Sequence, residues 1–155
     1  MNAIIIYYSR SGTTEKLALR AANDLHCDTI KIEPEEEYGN YAAALFRVLK
    51  ERIGKVAPKF ATPIPDLSAY DVVLLGYPIW AYGPPSFVSD FIRQCDLSGK
   101  TVIPFSTSGG SNISCTMKTL DEICGGAKIL LPYNCGMREK DDYDQWIGKV
   151  GKLTE

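Results

Sequence analysis

Clustered basic charge, paired cysteines and long apolar runs are all missing from this sequence. Its 17 Lys and Arg against 19 Asp and Glu leave a net charge of −2, with no basic patch, which excludes nucleic acid and anionic membrane surfaces as partners. The five cysteines, Cys27, Cys95, Cys115, Cys124 and Cys135, are odd in number, scattered and never in a C-x-x-C pair. They suggest neither a disulfide framework nor a zinc site, and buried free thiols are the plainer reading. Histidine occurs once, as His26 near the end of a helical stretch, where capping carbonyls suits it better than catalysis. The N-terminal apolar run, 3–8, has no basic residues before it and is too short for a signal peptide or a membrane span. A reducing cytoplasm is the expected compartment. No two glycines are separated by a single residue, so G-x-G-x-x-G is absent, as is G-x-x-x-x-G-K-[ST].

What is present is a 155-residue chain that is 45% hydrophobic. That is enough for one sizeable core, so a single domain over 1–155 is expected. Residues 3–8 carry no charge and favour strand, which reads as a strand buried on both faces. A polar loop follows at once, and from Lys16 onward apolar residues recur at helical spacing. A short second strand over 29–32 ends at Pro34. The acidic run Glu33, Glu35, Glu36 and Glu37 reads as a solvated loop, and 41–53 (YAAALFRVLKERI) as a helix stopped by Gly54. Proline-rich 55–65 reads as an irregular connection. Strand 72–75, helix 86–95 behind Pro84 and Pro85, strand 100–105 interrupted by Pro104, helix 113–124, strand 128–133 and helix 141–150 complete the chain. Alternation of this kind calls for an α/β fold, a doubly wound parallel sheet with helices on both faces.

In such a sheet every strand-to-helix loop emerges on the same edge, where ligands lodge. Three of these loops carry chemistry. Ser9, Arg10, Ser11, Gly12, Thr13 and Thr14 supply four hydroxyls, a guanidinium and a glycine ahead of a helix start. The backbone N–H groups and dipole of a helix start favour a phosphate; a well-capped helix is the competing reading. Ser11 is followed three residues on by Thr14 instead of the Glu or Gln of a capping box, which leaves donors for a ligand. Glu15 is an awkward neighbour for a phosphate and is expected to point outward, offset by Arg10 and Lys16. The second loop, PIWAYGPP, offers Trp80 and Tyr82 as flat surfaces; the third, 106–112, offers hydroxyls beside paired glycines. Together they suit a flat heteroaromatic ring with a phosphate tail.

These residues resemble the flavodoxin family. SRSGTTEKLA is similar to its phosphate loop and helix, GYPIWAYGPP to a first flavin-contacting loop, and FSTSGGS to a second, in order over nearly the whole chain. Flavodoxin is itself a standard example of ligand binding at the switch point of such a sheet. The three-layer αβα arrangement with five parallel strands in order 2-1-3-4-5, and FMN as cofactor, therefore come from the resemblance. It implies an FMN phosphate held by Ser9, Ser11, Gly12, Thr13 and Thr14 with Arg10 beside it. Trp80 stacks on or edges the ring, Pro78, Ile79, Ala81, Tyr82 and Gly83 shape the pocket, and Thr107, Ser108, Gly109 and Gly110 meet the pyrimidine end. Other users of the architecture lack their marks here. A phospho-acceptor receiver needs an aspartate where Gly76, Tyr77 and Pro78 stand, and a low-molecular-weight tyrosine phosphatase needs a cysteine where Ser9 stands.

The implied function is electron carriage through non-covalent FMN between redox partner proteins, by a monomer or weak dimer, with no catalytic residue or metal of its own. The competing reading is an FMN-dependent NAD(P)H (quinone) oxidoreductase, and a flavin-free interaction domain is a third. The oxidoreductase reading gains from the near-neutral charge and from a third loop without an aromatic to cover the outer ring face, unless Tyr38, Tyr41 or Tyr133 covers it. None of the three loops contains an acid, which implies a milder reduction potential than in strongly acidic flavodoxins. A peptide in 81–83 is the expected partner of flavin N5, with Gly83 as hinge.

Overall fold

A computed structural model describes residues 1–36, 43, 50, 54, 59–136 and 142–155 of the chain. Strand β1, Ala3–Tyr7, leads through the first loop into helix α1, Thr13–Leu25. Strand β2 follows at Asp28–Lys31, then β3 at Val72–Pro78, α2 at Ser86–Gln94 and β4 at Thr101–Ser108. A 3-10 turn over Ile113–Thr116 precedes α3, Met117–Ile123. Strands β5, Lys128–Ile129, and β6, Tyr133–Gly136, then lead to α4, Tyr143–Thr154. The sheet is parallel, in the order β2-β1-β3-β4-β5, with β6 also paired to β4.

Period-two alternation distributes the apolar strands to two faces. Ile4 and Ile6 of β1 and Val73, Leu75 and Tyr77 of β3 pack with Phe87, Val88 and Phe91 of α2 and Leu120 and Ile123 of α3. Ile5, Tyr7, Val72, Leu74, Ile103 and Phe105 form a second cluster with Leu17, Ala18 and Ala21 of α1 and Trp146 and Val150 of α4. Helices therefore cover both faces. The buried positions of α1, namely 14, 17, 18 and 21, are the stripe that a 3.6-residue period predicts. His26 ends α1 in a left-handed conformation, φ 51°, its backbone N–H donating to the Ala22 carbonyl, a C-cap geometry usually taken by glycine. At Gly76 a Cβ would run into the Phe105 ring and reach 3.0 Å from Tyr7 Cβ. The close approach of β3 to these two aromatics thus requires glycine.

Two expected elements differ. The strand expected over 128–133 is split in two, and Pro104 gives the reason. Lys128 N donates to Lys100 O (2.9 Å) and Leu130 N to Val102 O (3.0 Å), whereas Thr101 N donates to Asp71 O (3.0 Å) on the β3 side. Alternation therefore turns Pro104 toward the outer strand with no N–H to offer. There the outer strand breaks, with Leu131 at φ 48° and Pro132 next to it, and pairing resumes at Phe105 with Tyr133. The helix expected over 113–124 opens as a 3-10 turn. Asn112 Oδ1 accepts from Ser114 N (2.9 Å) and the Thr116 hydroxyl donates to Ile113 O (2.8 Å). Of the helix expected over 41–53, Ala43 and Lys50 are described and helical, and so is Gly54, the expected stop; the rest of that stretch, and Glu37 of the acidic loop, lie outside the described residues. Pro34 bridges Phe60 in antiparallel fashion, so 59–65 begins pinned against the strand exit. Among the described residues no helix is long and apolar enough to cross a membrane.

Candidate flavin site

The three loops meet at the carboxyl edge of the sheet. Thr14, in the first turn of α1, and Thr107, near the end of β4, are buried and bonded hydroxyl to hydroxyl at 2.8 Å, which ties the first loop to the third. Ile79 N donates to Thr107 O (3.0 Å), which ties the second loop to the third. Tyr8 meets Trp80 edge to face with ring centroids 5.7 Å apart, joining the first loop to the second.

In the first loop Ser9 is buried, and its Oγ accepts from the Gly12 N–H at 3.0 Å. Gly12 is the N-cap of α1 with φ 89° and no side-chain cap, and the first bond into the helix runs from Lys16 N to Gly12 O at 3.0 Å. The N–H groups of 13–15 therefore precede the intrahelical ladder. Ser11 and Thr13 are exposed, their hydroxyls 3.4 Å apart, and Arg10 is half-buried. Glu15 does not simply point outward as expected: it turns to Tyr7, accepting from the hydroxyl at 3.1 Å, and to Lys31 Nζ at 3.4 Å.

In the second loop Pro78 closes β3. Trp80 and Gly83 exchange backbone bonds of 2.8 and 3.2 Å around Ala81 and Tyr82, which have φ of 47° and 68°. Two successive left-handed residues make this a tight turn of the primed kind, whose usual occupants are Asn and Gly. The left-handed backbone thus falls on Ala81 and Tyr82, ahead of Gly83, the expected hinge. Trp80 is half-buried and packs against the core, and Tyr82 at the tip is 75% exposed.

The third loop is held from β6 by Asn134, a residue that sequence reasoning did not single out. The buried Ser106 hydroxyl donates to Asn134 Oδ1 (2.6 Å), and Asn134 Nδ2 donates to Ser111 O (3.4 Å). Ser108 Oγ donates to Ser111 O and accepts from Gly110 N (3.3 Å). Asn134 carries no signal of this role in the sequence, because its partner depends on the β4–β6 register. Tyr133, expected as one possible cover for the ring, is buried and stacks on Trp146 with centroids 4.7 Å apart. Tyr38 and Tyr41 lie outside the described residues. A cleft of about 470 Å³ flanks this loop, lined by Asn112, Ile113, Met117, Tyr133 and Asn134 among others.

These surroundings fit a ring with a phosphate tail. No atom lies within 4 Å of the place a Cβ would occupy at Gly12, Gly109 or Gly110, so open space lies over the first and third loops. The loops around it carry hydroxyls and backbone N–H groups, with Arg10 in the first of them. Among the described residues no group of three or more His, Cys, Asp or Glu could hold a metal.

A search of curated protein sequences finds no match to the chain. Solved structures do resemble it. A provisionally named flavoprotein of Bacteroides uniformis is 29% identical with a TM-score of 0.84, over 95% of this chain and 97% of that one. A flavoprotein of Lactobacillus acidophilus, solved in complex with FMN, is 22% identical with a TM-score of 0.78, over 94% and 97%. An oxidised flavodoxin of Bacillus cereus is 18% identical with a TM-score of 0.61, over 99% and 97%. The sheet order and the covering of both faces are those expected of such a fold. Residues 2–150 match the family model described as Flavodoxin, and the chain belongs to the flavodoxin family.

Proposed function

We propose that this protein binds FMN non-covalently at the three-loop edge and carries electrons between redox partner proteins. The observation that carries the reading is the Thr14–Thr107 hydroxyl pair at 2.8 Å, which brings the start of α1 and the twin-glycine loop to one place. Family membership and the FMN held by the Lactobacillus acidophilus relative support it. FMN supplies the redox chemistry when bound; the chain holds and orients it. Ser9, Ser11, Gly12, Thr13 and Thr14, with Arg10, take the phosphate. Trp80 borders the ring, and the backbone of Pro78, Ile79, Ala81, Tyr82 and Gly83 shapes the pocket. Thr107, Ser108, Gly109 and Gly110 take the pyrimidine end, with Asn134 fixing their loop. All five cysteines are free, which suits a reducing cytoplasm. The test is titration of the apo-protein into FMN. Stoichiometric quenching of flavin fluorescence is expected, and undiminished fluorescence overturns the reading.

One observation favours a second reading, an FMN-dependent NAD(P)H or quinone oxidoreductase. Tyr133 is committed to Trp146 and the third loop has no aromatic, so neither covers the outer face of the ring, where a nicotinamide or quinone would approach. Steady-state NAD(P)H oxidation by the FMN-loaded protein with a quinone acceptor separates the two: turnover supports the enzyme, and its absence the carrier.

A further inference from the structure

Glu15 is the one acid in the first turn of α1, beside a loop that, on the FMN reading, holds a phosphate monoester of up to two negative charges. A glutamate at the third helical position ordinarily reaches back to the N-cap N–H. Here the Gly12 N–H already donates to Ser9 Oγ, and the Glu15 carboxylate is engaged elsewhere. Its Oε1 accepts from the Tyr7 hydroxyl (3.1 Å) and lies 3.4 Å from Lys31 Nζ, which also meets Glu33 at 3.5 Å. Tyr7 and Lys31 are partners in the β1–β2 register, so both holders approach the carboxylate from the sheet. Tyr7 is 4% exposed, which fixes its hydroxyl. Burial first, and then the Glu15 carboxylate, push that hydroxyl up to about 12, so it remains a donor at neutral pH.

We propose that Tyr7 is a positioning residue for phosphate: together with Lys31 it anchors the Glu15 carboxylate on the sheet side of α1 and keeps like charge off the anion loop. The proposal rests on the FMN reading and deepens it by assigning what makes an acid tolerable at this position. Tyr7→Phe removes the anchor without changing charge. Any loss confined to the phosphorylated flavin must then run through a charge that has moved.

The experiment titrates FMN and riboflavin, by fluorescence quenching, into the apo forms of the unsubstituted protein, Tyr7→Phe, Glu15→Gln and the double variant. Tyr7→Phe is expected to weaken FMN binding about fivefold and to leave riboflavin binding within about twofold. In the Glu15→Gln background the same substitution is expected to leave FMN affinity unchanged, because no charge remains to restrain. Equal losses for both flavins, an FMN affinity untouched by Tyr7→Phe, or a loss that persists with Gln at position 15 each overturn the proposal. Failure of the unsubstituted protein to bind FMN is a separate outcome and removes the FMN reading itself.

Discussion

Thr14 Oγ1 and Thr107 Oγ1 stand 2.8 Å apart, 93 residues distant in the chain, and each hydroxyl is buried against the other. Thr107→Val keeps the shape and leaves the Thr14 hydroxyl without this partner. It is expected to lower stability by about 1–3 kcal/mol. The double Thr14→Val, Thr107→Val variant is expected to cost less than the two single changes added, with a coupling of about 0.5–3 kcal/mol. Urea denaturation of the four apo forms measures it, and strictly additive losses would show that the two hydroxyls are not coupled.

Ala81 and Tyr82 hold φ of 47° and 68° in the turn between Trp80 and Gly83. A left-handed backbone costs L-residues roughly 1–2 kcal/mol, more with β-branching, and costs glycine little. Ala81→Val is therefore expected to lower the denaturation midpoint, by the equivalent of about 1–2 kcal/mol, whereas Ala81→Gly keeps or raises it. Equal midpoints for the two variants would refute a left-handed turn in the folded protein.

Cys95 and Cys124 are buried thiols, and burial pushes them from an ordinary 9.0 up to about 11 and about 12 respectively. The folded state thus holds their protons where the unfolded chain releases them. Their contribution to stability is intact below pH 9 and is lost as pH rises from there through 11 and 12. The expected slope is about 1.4 kcal/mol per pH unit for each thiol. Cys124→Ala is expected to start less stable at pH 8 and to show a shallower alkaline decline than the unsubstituted protein, as measured by denaturation midpoints between pH 8 and 11. Parallel declines would mean that Cys124 does not titrate in this way.

Strand and helix order was legible in the sequence because it follows from local pattern: short, uncharged, β-favouring runs at 3–8 and 72–75, each followed by a polar turn, read as strands covered on both sides. The meeting of the three loops was legible for the same reason, since parallel strands send all their exits to one edge. Features that depend on register were not. Asn134 meets Ser106 only because β6 pairs with β4 at those residues, and Pro104 breaks the outer strand only because it faces that side. The left-handed backbone at Ala81 and Tyr82 runs against propensity, so it left no mark in the residue types of that loop. Glu15 was read as an awkward neighbour for a phosphate that would point outward; its holders, Tyr7 and Lys31, come from β1 and β2, beyond the reach of a loop motif.

The interruption opposite Pro104 also bears on how copies of this molecule meet. An edge made of two residues, a break and four more gives an incoming chain no continuous row of backbone donors and acceptors. The opposite border, β2, is itself only four residues long. Among the described residues, edge-to-edge joining of sheets is thereby discouraged at both borders, by the placement of one imino acid and by brevity.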